Sequence, residues 1–107
     1  GDGSTTRSFC YIDDLIKGII KLMKVNYNLP INLGNPSEKK IIDLAYIILE
    51  LTKSKSKIKF LPKLEDDPQR RRPDITKAKK LLKWEPKVKL EEGLKKTIEY
   101  FKKVTCE

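Results

Sequence analysis

The sequence predicts an α+β fold of about four helices joined by short strands, and three observations carry that reading. Apolar residues return at helical intervals in the windows around 13–24, 40–52, 76–82 and 90–103. Between them lie short runs in which aromatic or β-branched residues alternate with polar ones. Gly, Pro and Asn punctuate the chain, and 107 residues suffice for one domain with a single core.

Gly1 to Thr6 reads as a turn, because Asp2-Gly3 is a strong reversal signal. Arg7-Ser8-Phe9-Cys10-Tyr11-Ile12 alternates and predicts a strand with Arg7, Phe9 and Tyr11 on one face. Asp13 or Asp14 is the expected N-cap of a helix to about Lys24, with Leu15, Ile16, Ile19, Ile20 and Met23 as its buried stripe. Asn26 to Pro30 is a loop, and Ile31-Asn32-Leu33 a brief strand closed by Gly34-Asn35-Pro36. The second helix, roughly Lys40 to Thr52, is apolar most of the way round and predicts burial on more than one side. After a polar turn at Lys53 to Ser56, Lys57-Ile58-Lys59-Phe60-Leu61 alternates like an edge strand. Asp74 or Thr76 should cap a short helix through Ala78, Leu81 and Leu82, which Trp84-Glu85-Pro86 ends. The last helix, about Leu90 to Lys103, is expected to bury Leu90, Leu94, Ile98 and Phe101. Trp84, between a helix end and a proline, should pin that turn to the core rather than offer a base-stacking platform. Tyr27, Tyr46 and Tyr100 read as packing or surface residues.

A net charge of +9, mostly from lysine, favours anionic partners such as nucleotides, phosphorylated sugars, nucleic acid or acidic membrane. Cys10 and Cys106 are far apart and the chain has no His, so a disulfide framework, a typical zinc site and His-based catalysis are unsupported. Cys10 is expected as a small buried hydrophobe and Cys106 as a thiol on a frayed tail. No stretch approaches the length of a membrane span, and no signal-peptide pattern is present. The chain opens on Gly1-Asp2-Gly3-Ser4 without Met, as a piece of something longer would.

The segment Asp66-Asp67-Pro68-Gln69-Arg70-Arg71-Arg72-Pro73-Asp74-Ile75 confines three guanidinium groups between two prolines. Each proline fixes φ and pushes its predecessor towards extended geometry, so a stiff connection with alternating arginines is expected. Arginine grips phosphate or carboxylate with a planar fork. Taken locally, the same residues also read as a solvated basic loop paired with Asp66, Asp67 and Asp74.

Two stretches carry more than local physics. Gly1 through Leu15, with Arg7-Ser8-Phe9-Cys10-Tyr11-Ile12-Asp13-Asp14, resembles the segment that opens the substrate lobe of nucleotide-sugar epimerases, dehydratases and decarboxylases, the extended short-chain dehydrogenases. Asn32-Leu33-Gly34-Asn35-Pro36, Asp66-Asp67-Pro68 through Arg72-Pro73-Asp74-Ile75, Trp84-Glu85-Pro86 and Leu90-Glu91-Glu92-Gly93-Leu94 narrow the likeness to the UDP-glucuronate decarboxylase (UDP-xylose synthase) family. The resemblance spans essentially the whole chain and implies that residues 1–107 form a C-terminal UDP-sugar-binding lobe, with a separate Rossmann lobe holding NAD. It implies oxidation of UDP-glucuronate at C4 by NAD⁺, loss of CO₂ from the β-keto acid, and reduction of the 4-keto intermediate to UDP-xylose.

This chain lacks a glycine-rich turn after a strand, and it lacks the family's Tyr-x-x-x-Lys pair: Leu15 follows Tyr11 and Glu50 follows Tyr46 at the lysine position. No catalytic residue is therefore expected within it, and it should be inactive alone. By resemblance, Arg7 contacts the UDP diphosphate, Arg71 the phosphate or sugar carboxylate with an assisting role in decarboxylation, and Tyr11 gives a hydroxyl to sugar or ribose. Arg70 and Arg72 would alternate away as surface or ion-paired residues. Thr5 stands where relatives carry Gln, Lys40 where Thr or Ser caps the second helix, and Lys83 where Gly precedes Trp84. The expected partners are a UDP-sugar, the Rossmann lobe and, for the whole enzyme, a second copy, with no nucleic acid. The compartment reads as cytoplasmic or Golgi. Alternatives are the same lobe of a UDP-sugar epimerase or dTDP-sugar 4,6-dehydratase, a small basic nucleic-acid-binding module, or a purely structural lobe. The apolar second helix predicts that the isolated chain self-associates.

Overall fold

The computed structural model describes residues 1–65, 68–69 and 71–105. Its elements are strand β1 (Thr6–Ser8), helix α1 (Ile12–Met23), strand β2 (Glu38–Lys40), helix α2 (Ile41–Thr52), a π-wound turn (Ala78–Leu82) and helix α3 (Leu90–Thr105). The α+β expectation holds. β1 and β2 pair antiparallel, with Arg7 opposite Lys39. The pairing extends beyond the strands, since Ile41 and Ile42 donate N–H to the carbonyls of Thr5 and Gly3 at 2.9 Å each.

The strands differ most from expectation. β1 is only Thr6–Ser8, not Arg7 to Ile12, because Tyr11 already caps α1 and turns the chain away. Ile31-Asn32-Leu33 and Lys57 to Leu61 form no strand, and Glu38-Lys39-Lys40, too charged to be expected as one, does. Pairing with β1 supplies the hydrogen bonds that decide strand identity, and alternation alone does not.

The core is small. Ile75, Ala78, Leu82 and Trp84 are buried, with Cys10, Leu22, Val25, Ile31 and Leu33 packed round them. Cys10 is thus half-buried against the core rather than inside it. Trp84 is 4% exposed, and its indole N–H donates to the Asp14 carbonyl at 2.9 Å, which excludes a base-stacking role. The preceding helix ends with Lys83 at φ +53°, a left-handed residue where glycine is favoured. Ala78 C=O there accepts the N–H groups of both Lys83 and Trp84, and the five-residue span of the Lys83 bond is that of π winding.

α1 presents an unexpected face. Its Ile16, Ile19, Ile20 and Met23, expected as the buried stripe, are all exposed, while Asp14 and Gly18 are buried. A Cβ on Gly18 would stand 3.0 Å from the Trp84 ring and 3.2 Å from Leu33 Cδ1, so glycine lets the helix approach the core on that side. Neither Asp13 nor Asp14 caps α1: the N-cap is Tyr11, without a side-chain bond. In α3, Leu90, Leu94 and Ile98 are half-buried, but Phe101 is 55% exposed. No residue of α2 is fully buried, although the helix is apolar nearly all round. Tyr27 is half-buried under the Lys77 ammonium, and Tyr46 and Tyr100 are exposed.

Candidate sugar-nucleotide site

β1 has two edges, and the second one organises the site. On the side away from β2, Thr6 donates its N–H to the Gln69 carbonyl at 2.8 Å, and Ser8 Oγ reaches the Arg71 carbonyl at 3.5 Å. The two series of numbers rise together, so residues 69 and 71 run parallel to β1. Side chains reinforce the join. Gln69 Nε2 donates to Ser4 Oγ at 3.0 Å, while Gln69 Oε1 accepts from Lys63 Nζ at 3.1 Å and Thr5 Oγ1 at 3.5 Å. Gln69 was not singled out from sequence, and only its place between two prolines hinted at a fixed position.

The far end of the arginine segment is held as well. Pro73 lies against Gly34, where an added Cβ would sit 3.0 Å from the ring, and Asn32 Nδ2 donates to the Asp74 carbonyl at 3.4 Å. Thr76 gives both its hydroxyl (2.6 Å) and its N–H (3.0 Å) to Asp74 Oδ1. Those two bonds, hydroxyl first, hold the Asp74 carboxyl below its ordinary value of 3.8, with Arg72 adding a smaller pull. Asp74 is thereby the local turn-former that opens the short helix, as its sequence position suggested. Asp66, Asp67, Arg70 and Cys106 lie outside the described residues.

Arg7 is half-buried on β1, and its Nη1 donates to the Thr6 carbonyl at 2.7 Å. That carbonyl leaves the strand on the same edge as the Thr6 N–H, the edge along which residues 69 and 71 run. Arg7 and Arg71 therefore belong to adjacent backbone segments. Arg7 also lines a cleft of about 580 Å³ with Gly3, Thr5, Ile41, Ala45 and residues 58–64. Arg71 is exposed and is not part of that lining. Tyr11 is elsewhere: its ring packs on Gly93, lies under Lys96 Nζ at 5.6 Å, and lines a separate cavity of about 180 Å³. The expected common face of Arg7, Phe9 and Tyr11 does not form, because β1 stops at Ser8.

Asp14, expected only as a possible N-cap, has a role that sequence reasoning missed: it is only 3% exposed. Its Oδ2 accepts the N–H groups of Lys87 at 3.0 Å and Val88 at 2.9 Å, tying the start of α1 to the segment after Trp84. A carboxylate beside a helix start invites a capping assignment, and nothing local shows that its partners lie seventy residues on. Burial, then the neighbouring Asp14 charge, push the Cys10 thiol above its ordinary value.

The residues present do not fit NAD. Gly18, Gly34 and Gly93 are each closed by a side chain of Trp84, Pro73 or Tyr11, and Gly3, at φ +86°, lies against Ile42, so none is open to a pyrophosphate. No cluster able to hold a metal ion occurs among the described residues. No helix among them is long and apolar enough to cross a membrane.

The family model described as GDP-mannose 4,6 dehydratase matches residues 1–97. UDP-glucuronic acid decarboxylase 1 of Danio rerio is 58% identical over 101 residues, covering 94% of this chain and 24% of that protein. UDP-glucuronic acid decarboxylase 4 of Arabidopsis thaliana is 48% identical over 102 residues, covering 95% and 23%. The chain thus spans about a quarter of the length of the curated relatives it matches. Among solved structures, UDP-glucose 4-epimerase of Thermotoga maritima with UDP-glucose superposes with a TM-score of 0.91 at 36% identity, over 97% of this chain and 34% of that one. UDP-glucuronic acid 4-epimerase of Bacillus cereus, with UDP-glucuronic acid and NAD, gives 0.87 at 32% identity over the same shares. The chain belongs to the GDP-mannose 4,6-dehydratase family, among the extended short-chain dehydrogenases, and both curated relatives named above are UDP-glucuronic acid decarboxylases.

Proposed function

We propose that this chain is the substrate-side lobe of a UDP-glucuronate decarboxylase, holding UDP-glucuronate while the complete enzyme converts it to UDP-xylose and CO₂. The observation that supports it most is the run of Gln69 and Arg71 along the second edge of β1, through the Thr6–Gln69 bond of 2.8 Å. It sets two arginines distant in sequence on neighbouring backbone segments, as a two-point grip on one anion needs. In this reading Arg7, braced on the Thr6 carbonyl, holds the diphosphate. Arg71 reaches the phosphate or the sugar carboxylate and helps to orient the leaving CO₂. Tyr11 offers its hydroxyl to sugar or ribose from its separate cavity. NAD is held by residues outside this chain, and the complete enzyme works as a homodimer.

The test is turnover by the complete enzyme. UDP-glucuronate should yield CO₂ and UDP-xylose, and UDP-glucose should not be turned over. Arg71→Lys keeps the charge but loses the fork, so kcat/KM for UDP-glucuronate should fall by about 10- to 100-fold. Interconversion of UDP-glucose and UDP-galactose without CO₂ release would replace this reading with the epimerase one, which the names of the structural neighbours favour.

A further inference from the structure

The connection that leaves α2 has no part in the sugar-nucleotide reading beyond walling Arg7's cleft. It carries Lys53, Lys55, Lys57, Lys59 and Lys63, with no acidic residue before Glu65. All five lysines are exposed, and residues 54–64 form neither helix nor strand. Three large apolar side chains stand in water on the same segment: Phe60 is 56% exposed, Leu61 63% and Leu64 78%. Lys53 closes α2 in a left-handed conformation, and beyond it Lys55, Lys57 and Lys59 recur at every second residue.

Charge alone would suit any polyanion, and the apolar tips decide between them. Nucleic-acid surfaces add guanidinium forks and aromatic platforms, and this segment has no arginine and one aromatic ring. Leucine gains nothing from a phosphodiester backbone, but it gains from the acyl boundary of a bilayer. We infer that Lys53 to Leu64 is a peripheral contact for an anionic bilayer, its lysines among the headgroups and Phe60, Leu61 and Leu64 at the acyl boundary. The bond from Lys63 Nζ to Gln69 Oε1, 3.1 Å, fastens this contact to the arginine segment. Phe60, Leu61 and Leu64 also help to line the Arg7 cleft. The inference stands whether or not the sugar-nucleotide reading does.

Vesicle co-sedimentation tests it. The chain should bind vesicles of phosphatidylcholine with about 30% phosphatidylserine and not phosphatidylcholine alone, and binding should fall as salt rises from about 0.1 to about 0.5 M. Lys55→Gln with Lys57→Gln should weaken binding about 25-fold, roughly fivefold for each lysine. Leu64→Ser should also weaken it while leaving the salt dependence unchanged, with circular dichroism confirming the fold of each variant. Equal binding to both vesicle types would overturn the inference. So would an unaffected Leu64→Ser variant that an oligonucleotide displaces from the vesicles, which would mark a general polyanion surface. Binding by this chain but not by the complete protein would overturn it too, by showing that the rest of the enzyme covers the apolar tips.

Discussion

Asp14 joins two parts of the chain that share little else. Its carboxylate holds the Lys87 and Val88 N–H groups and its carbonyl holds the Trp84 indole, so one residue fixes the start of α1 to the segment leading into α3. Asp14→Ala removes the acceptor for two charge-assisted bonds and should cost about 2–3 kcal/mol, read as a lower urea midpoint with an unchanged slope. Asp14→Asn, which keeps one acceptor oxygen, should cost less. Asp74 is the exposed counterpart. Its folded pKa lies below the ordinary 3.8, so its bonds to Thr76 favour the fold at neutral pH, and that contribution disappears as the pH falls through the folded value. The gap in urea midpoint between wild type and Asp74→Ala should therefore be present at about pH 6 and close towards about pH 2.

The end of the short helix before Trp84 was legible from the sequence, and the start and inward face of α1 were not. The position before Trp84 was expected to prefer glycine, and Lys83 does sit at φ +53°. Lys83→Gly should raise stability by about 1 kcal/mol, seen as a higher thermal midpoint. Lys40, extended at φ −69° and ψ 142° before α2, makes no side-chain cap, and Lys40→Ser should likewise gain about 1 kcal/mol. The periodicity of α1 showed which residues share a face and left open which face turns inward. Asp14, Gly18 and Leu22 do so, because a missing side chain at Gly18 admits the Trp84 ring and Asp14 has backbone donors waiting. Hydrophobicity by itself argued for the opposite side.

At the scale of the molecule, the shape is a slab of 49 × 37 × 19 Å with a radius of gyration of 16.4 Å. A compact domain of this length would have about 13 Å. The accessible surface, 8565 Å², likewise exceeds the roughly 6,100 Å² expected for a compact protein of this mass. The excess is the size of an obligate interface. With the Ile16, Ile19, Ile20 and Met23 face of α1 in water, the chain alone should self-associate, and light scattering should show mass rising with concentration. Ile16→Lys with Ile20→Lys should shift it towards monomer. A monomer at all concentrations would count against an uncovered α1 face.

The residues themselves determined the α+β class, the three main helices to within two or three residues at their ends, and the packing role of Trp84. Those features depend on local periodicity, turn chemistry and motif order. Tertiary structure alone decided that Glu38-Lys39-Lys40 pairs with β1, that Gln69 aligns the arginine segment with its second edge, and that α1 turns Asp14 and Gly18 inward. Each of these rests on hydrogen bonds or close approach between segments remote in sequence, whose partners are fixed only when the chain is folded.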